Sequence, residues 1–207
     1  MKAILQIILA GAVIALGYWI FTIFKTPIDF NSARTAREEV VVERLKDIRT
    51  VQRAFRNANG KFAGSFQELF DFYHTDSMKV ILAIGSEDDS SAMGQLVRVE
   101  SFLKMSDTIF NHRGKDFVIE EIQYIPFSEL ATGSKVRFAM DTATIVTESA
   151  IAIPVFEAFA KYPLFLGDLD KQELINYRDE KVNTLRRADG LKVGSTTEST
   201  NEAGNWE

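Results

Sequence analysis

The feature that most constrains this chain is an apolar run from Ala3 to Phe24, with strongly polar side chains only at Gln6 and Thr22. Lys2 and Lys25 close it on either side. As a helix rising about 1.5 Å per residue, this run is long enough to cross a hydrocarbon core of roughly 30 Å. Tyr18 and Trp19 lie toward its C-terminal end, where amphipathic rings favour the membrane interface. A cleaved signal peptide would have a shorter apolar stretch followed by a small-x-small site, whereas Ala10-Gly11-Ala12 falls in the middle of the run. The segment therefore reads as a retained anchor in the lipid bilayer. Gly11 and Ala15 form a small-xxx-small pair at which a partner helix can approach closely.

Which side of the membrane holds the rest is argued from charge. A short N-terminal tail bearing Lys2 stays cytoplasmic and sends the remainder outside, while Lys25, Arg34, Arg37 and Arg44 after the run pull the other way. The expected location is the inner (cytoplasmic) membrane with an extracytoplasmic domain. A formal charge of −5 argues against nucleic acid as a partner, because no basic surface would collect phosphates. The absence of cysteine removes disulfides, thiolate catalysis, Cys-based zinc sites and lipid attachment through Cys.

Beyond the anchor, Pro27 predicts a break, since proline disfavours helix in the residue before it. Asn31 or Ser32 then caps a second helix to about Ala58, with Val41, Leu45, Ile48, Val51, Phe55 and Ala58 at spacings of three and four. Its other face carries Arg44, Lys46, Asp47, Arg49 and Arg53, read as a solvated face with a binding stripe as the alternative. Asn59-Gly60 ends it, and Ser65 with Glu68 forms a capping box for a short helix through Tyr73. Residues 78–84, 97–103, 117–125, 136–140, 144–149 and 151–159 read as strands, with Pro154 at an edge or a bulge and a helical turn at 106–112. Asp168 is expected to cap a last helix, about 171–186, whose apolar side holds Leu174, Tyr177, Val182 and Leu185.

Strands following strands without helical crossovers predict an antiparallel or mixed sheet, hence an α+β fold. The expected layout is an N-terminal transmembrane helix, a long amphipathic helix, then a mostly antiparallel sheet with short helices. The expected units are an anchor at 1–25, a linker at 26–31, a soluble α+β domain at 32–188 and a flexible C-terminal tail at 189–207, where Gly, Ser, Thr, Asn and Glu dominate. In that tail Trp206 stands out as an aromatic docking tip for a partner.

Groups that do chemistry are scarce. His74 and His112 are the only histidines, and no metalloprotease, phosphate-loop or nucleophile-elbow pattern occurs. Asp71, His74, Asp76 and Ser77 form the densest cluster, in which Asp71 and His74 could make an acid–base pair on one helix face. The same residues also suit the end of a helix and the turn beyond it. Glu87-Asp88-Asp89 lacks the ligand spacing of a calcium loop, and Asp168, Asp170 and Glu173 suit a helix start as well as a cation. No catalytic, metal or cofactor-binding residue is assigned. The expectation is a non-enzymatic structural or interaction subunit of a cell-envelope assembly, with a protein partner or a homo-oligomer, against the alternative of a membrane-tethered enzyme using Asp71 and His74.

The stretch from Val42 to Gln52, then Asn59-Gly60-Lys61-Phe62, Ser65-Phe66-Gln67-Glu68-Leu69, the closing Gly190 to Ser195 and Gly204 to Glu207 together resemble a family of single-pass membrane proteins of Bacteroidota. That resemblance implies an anchored domain and no particular activity. Ile48, Arg49, Gln52, Asn59, Gly60 and Phe62 also make the second helix similar to that of type IV pilins and pseudopilins, which implies a pilin-like layout. The chain departs from pilins in lacking a Gly-Phe cleavage site before the apolar run and the glutamate shortly after it, and in carrying Pro27.

Overall fold

The computed structural model describes residues 2–75, 77–84, 97–104, 109–110, 113, 117–147 and 150–207, with 77–84 and 97–104 described as backbone. The sequence-predicted polar loop at 85–95, most of the turn at 106–112, His112 and Asp76 lie outside the described residues.

The first element corrects the expected linker at 26–31. Helix α1 runs unbroken from Lys2–Asn59 with Pro27 inside it, about 87 Å at helical rise. Proline removes the bond to the carbonyl four residues back, a local cost of about 3 kcal/mol or more. Side chains bridge the same turns: Thr26 Oγ1 donates to the Thr22 carbonyl at 3.0 Å and Asn31 Nδ2 to the Pro27 carbonyl at 2.9 Å. Helix on both sides, tied down by Phe30 at 4% exposure, outweighs a local break.

The two halves of α1 have opposite surroundings. In the N-terminal half the apolar side chains described, among them Ile4, Ile14 and Phe24, are exposed, and nothing in the most apolar window is covered by protein. This half is long and apolar enough to cross a membrane. From Phe30 onward the helix becomes the spine of the α+β domain, burying Val41, Leu45, Ile48, Val51 and Phe55 as their spacing predicts. Ala58 stays exposed, and Asp47, expected on the solvated face, is buried.

Gly60, at φ 72°, ends α1 in the left-handed conformation and donates to the Arg56 carbonyl. Gln52, fully buried, holds the turn beyond by giving Nε2 to the Ala63 carbonyl and accepting the Ala63 N–H, each at 3.0 Å. Helix α2, Phe66–Thr75, follows. Ser65 Oγ accepts the Glu68 N–H as a cap, while Glu68 turns its carboxylate to the Gly64 N–H at 2.7 Å. Leu69, Phe70, Phe72 and Tyr73 close the core at this end, with the Phe72 and Phe55 rings edge to face.

Strands β1, Ser77–Ile84, and β2, Val97–Lys104, form a separate two-stranded antiparallel ribbon, Ser77 opposite Lys104 and Ile84 opposite Val97. The strand expected at 117–125 is instead a 3₁₀ turn, Ile119–Gln123. Its apolar residues Ile119, Ile122 and Ile125 recur every third position, which suits three residues per turn and not alternation. Only Tyr124 keeps a strand-like bridge, to Arg137. A short helix α3, Ser128–Thr132, leads to the main sheet.

That sheet has the order β3–β4–β5 and is antiparallel throughout, from β3 (Ala139–Val146), β4 (Ala152–Lys161) and β5 (Gly190–Gly194). The strands expected at 136–140 and 144–149 are thus a single strand. Pro154 lies in the central strand, opposite Thr144, where β5 does not yet pair; β5 joins only from Glu157. The expected edge position is local, because the missing donor lies where β4 has one neighbour. Between β4 and β5 come α4, Pro163–Leu166, and α5, Lys171–Asp179, which continues as a π turn, Glu180–Thr184. Asp170, not Asp168, caps α5 by accepting the Glu173 N–H at 3.0 Å.

β5 overturns the flexible tail expected from 189. It docks beside the central strand with both Leu191 and Val193 buried. Its glycines permit this approach: a Cβ on Gly194, at φ 73°, would stand 2.1 Å from the Phe156 carbonyl. Val193 then bridges Gly204, so the remaining residues fold back over the sheet.

Candidate functional site

The charged face of α1 carries the most connected polar assembly. Arg49, Arg53 and Arg56 stand one helical turn apart, and all three reach the folded-back C-terminal segment. Glu202, 7% exposed, is the centre: Arg53 Nε meets Oε2 at 2.7 Å and Arg56 Nη1 meets Oε1. Arg49 Nη1 donates to the Glu202 carbonyl at 3.2 Å and to Glu207 Oε1 at 2.7 Å, and it holds the Glu207 carboxyl below the usual range. The stripe expected to be solvated is a carboxylate clamp occupied by the chain's own residues. Trp206, expected as an exposed tip, packs half-buried against the core with its indole N–H enclosed and unpartnered.

A second assembly sits at the start of the packed part of α1. Arg37 grips Asp168 with two parallel bonds, 2.5 and 2.8 Å, and also donates to the Phe165 carbonyl. The guanidinium holds the Asp168 carboxyl below its ordinary range. The next residue, Glu38, accepts from Arg34 one turn earlier at 2.8 Å and from the Tyr177 hydroxyl at 2.6 Å, with Arg34 also lying over the Tyr177 ring. Burial first, and Glu38 second, push the Tyr177 hydroxyl far above its usual value, so it remains a neutral donor. A third group pairs Arg113 with Asp47 at 2.7 Å; burial raises the Asp47 carboxyl more than Arg113 lowers it.

Of the residues singled out for catalysis, Asp71 and His74 each engage another partner. His74 Nε2 lies 2.7 Å from Glu120 Oε1, and Asp71 accepts from Gln67. His74 holds the Glu120 carboxyl below its usual range. Near them a cleft of about 390 Å³ opens between the start of α2, the 3₁₀ turn and β3, with Phe66, Phe70, Glu120, Gln123 and Arg137 on its walls. Among the described residues, no three His, Cys, Asp or Glu side chains are grouped to hold a metal ion. Gly11 and Ala15 lie exposed on the N-terminal half of α1, with open space around Gly11. The sequence reading missed Glu202, Glu207, Glu38 and Tyr177. The available signal was the spacing of arginines at 49, 53 and 56 beside an acidic C-terminal segment.

No protein-family model, curated protein or solved structure matches this chain.

Proposed function

We propose that the chain is a single-pass protein of the cytoplasmic membrane that serves a cell-envelope assembly as a non-enzymatic structural or interaction subunit, its domain facing away from the cytoplasm in a pilin-like layout. The observation that carries this reading is the continuity of α1. One helix is both the uncovered apolar segment and the spine of the domain, so the domain is held on the bilayer by a rod and not by a loose tether. The open face at Gly11 and Ala15 supports association with a second helix in the membrane. The separate engagements of Asp71 and His74 favour this reading over a tethered enzyme.

Two experiments test it. An alkaline phosphatase fused to the C-terminus should be active and a green fluorescent fusion dark; the reverse pattern puts the domain in the cytoplasm. A chain with both Asp71→Ala and His74→Ala should complement a deletion strain fully. Loss of complementation at normal abundance and fold would favour the enzyme.

A further inference from the structure

We infer that α5 and the π turn after it form a membrane-contact surface that seats the domain on the lipid interface. This rests on the reading of α1 as a membrane anchor. Helix α5 packs on Phe30, the first buried residue of α1 beyond the apolar run. Tyr177 of α5 sets its ring edge to face with Phe30, 6.4 Å between centroids, and lies under Arg34. Lys181 of the π turn lies over the same ring at 5.2 Å. Phe30 follows Phe24, the last residue of the apolar run, by about 9 Å along the helix axis. The headgroup layer on each side of the hydrocarbon core is roughly 5–8 Å deep. An element packed against Phe30 therefore stands at the outer edge of the headgroups, and any tilt of α1 toward it brings it deeper.

The surface it presents there suits lipid. Leu174 and Tyr177 point into the domain, while Ile175, Val182 and Leu185 are exposed at 48%, 37% and 45%. Ile175 and Val182 share the wall of an open groove of about 280 Å³, so they lie on one face. From Asp170 to Asp189 the five cations Lys171, Arg178, Lys181, Arg186 and Arg187 are offset by five acids, Asp170, Glu173, Asp179, Glu180 and Asp189. Contact is then driven by shallow insertion of apolar side chains and does not require anionic lipid.

The absence of cysteine in the chain makes the test direct. The full-length protein, carrying one fluorophore at Ile175→Cys, Val182→Cys or Leu185→Cys, is reconstituted in phosphatidylcholine vesicles containing brominated lipid. Ile14→Cys reports on the anchor, and Ile151→Cys, exposed beyond the end of β3 in the β3–β4 turn, reports on the far end of the domain. Quenching at the three α5 and π-turn positions should exceed that at Ile151→Cys by about twofold or more, with Ile14→Cys quenched most. Quenching at Ile14→Cys alone would overturn the contact surface and leave the anchor standing. No quenching at Ile14→Cys would remove the anchor and this inference with it. Pyrene excimer emission from Val182→Cys without bromine quenching would assign the face to a second copy of the chain and overturn the lipid contact.

Discussion

A chain ending at Ser195 is expected to melt about 10 °C below the full-length protein. Truncation there removes Glu202 from between Arg53 and Arg56, Glu207 from Arg49, and Trp206 from its place against the core. Removing one partner of a buried pair costs roughly 3–5 kcal/mol when the other stays buried. Arg53 and Arg56 are 43% and 34% exposed and regain water, so the loss here is nearer 2–3 kcal/mol. Withdrawing a half-buried indole adds about 1–2 kcal/mol. In a domain of this size each kcal/mol lowers the midpoint by about 2–4 °C. Calorimetry of both chains in detergent measures the difference, and Glu202→Ala alone should account for about half of it. An unchanged midpoint would mean that the C-terminal segment contributes nothing to the fold, as its composition suggests.

That composition misleads for a physical reason, and the error spreads. Gly190 and Gly194 read as markers of flexibility, yet the backbone of β4 leaves no room there for a Cβ. Once the segment is taken as loose, Glu202 has no fixed position, and the arginines on α1 have no partner to predict. The solvated stripe and the flexible tail are thus one misreading, because the clamp joins residues about 150 positions apart. Asp47 fails in the same way: its place on a charged face is plain, but burial depends on Arg113 arriving from far along the chain. Proline at 27 disfavours helix only locally, and a local rule cannot see packing that begins at Phe30. What the sequence does reveal is periodic. The long apolar start of α1, its core face, the capped α2 and the strand near 151–159 all follow from patterns within one element. Asp71 and His74 were close in sequence, but their partners are Gln67 and Glu120, the second from an element read as a strand.

Ile48→Asp should leave the domain unfolded or nearly so, with a loss above about 4 kcal/mol. Ile48 has no exposed surface and lies on the apolar seam of α1 between Leu45 and Val51. A carboxylate there forfeits the burial of the isoleucine and loses its hydration, and Asp47 beside it already has a carboxyl raised by burial. Lys46→Glu, at an exposed position one residue before Asp47, should change stability by less than about 0.5 kcal/mol. Arg49→Glu falls between these. Arg49 is not a bystander on the solvated face, because it holds both the Glu202 carbonyl and the Glu207 carboxylate. Reversing its charge replaces two attractions with repulsion at a partly screened site, for about 1–2 kcal/mol. Denaturant unfolding of the three variants should therefore rank positions 48, 49 and 46 in that order. Equal loss at 48 and 49 would show that α1 does not bury the face described, and near-zero loss at 49 would show that the clamp does not hold the C-terminal segment in solution.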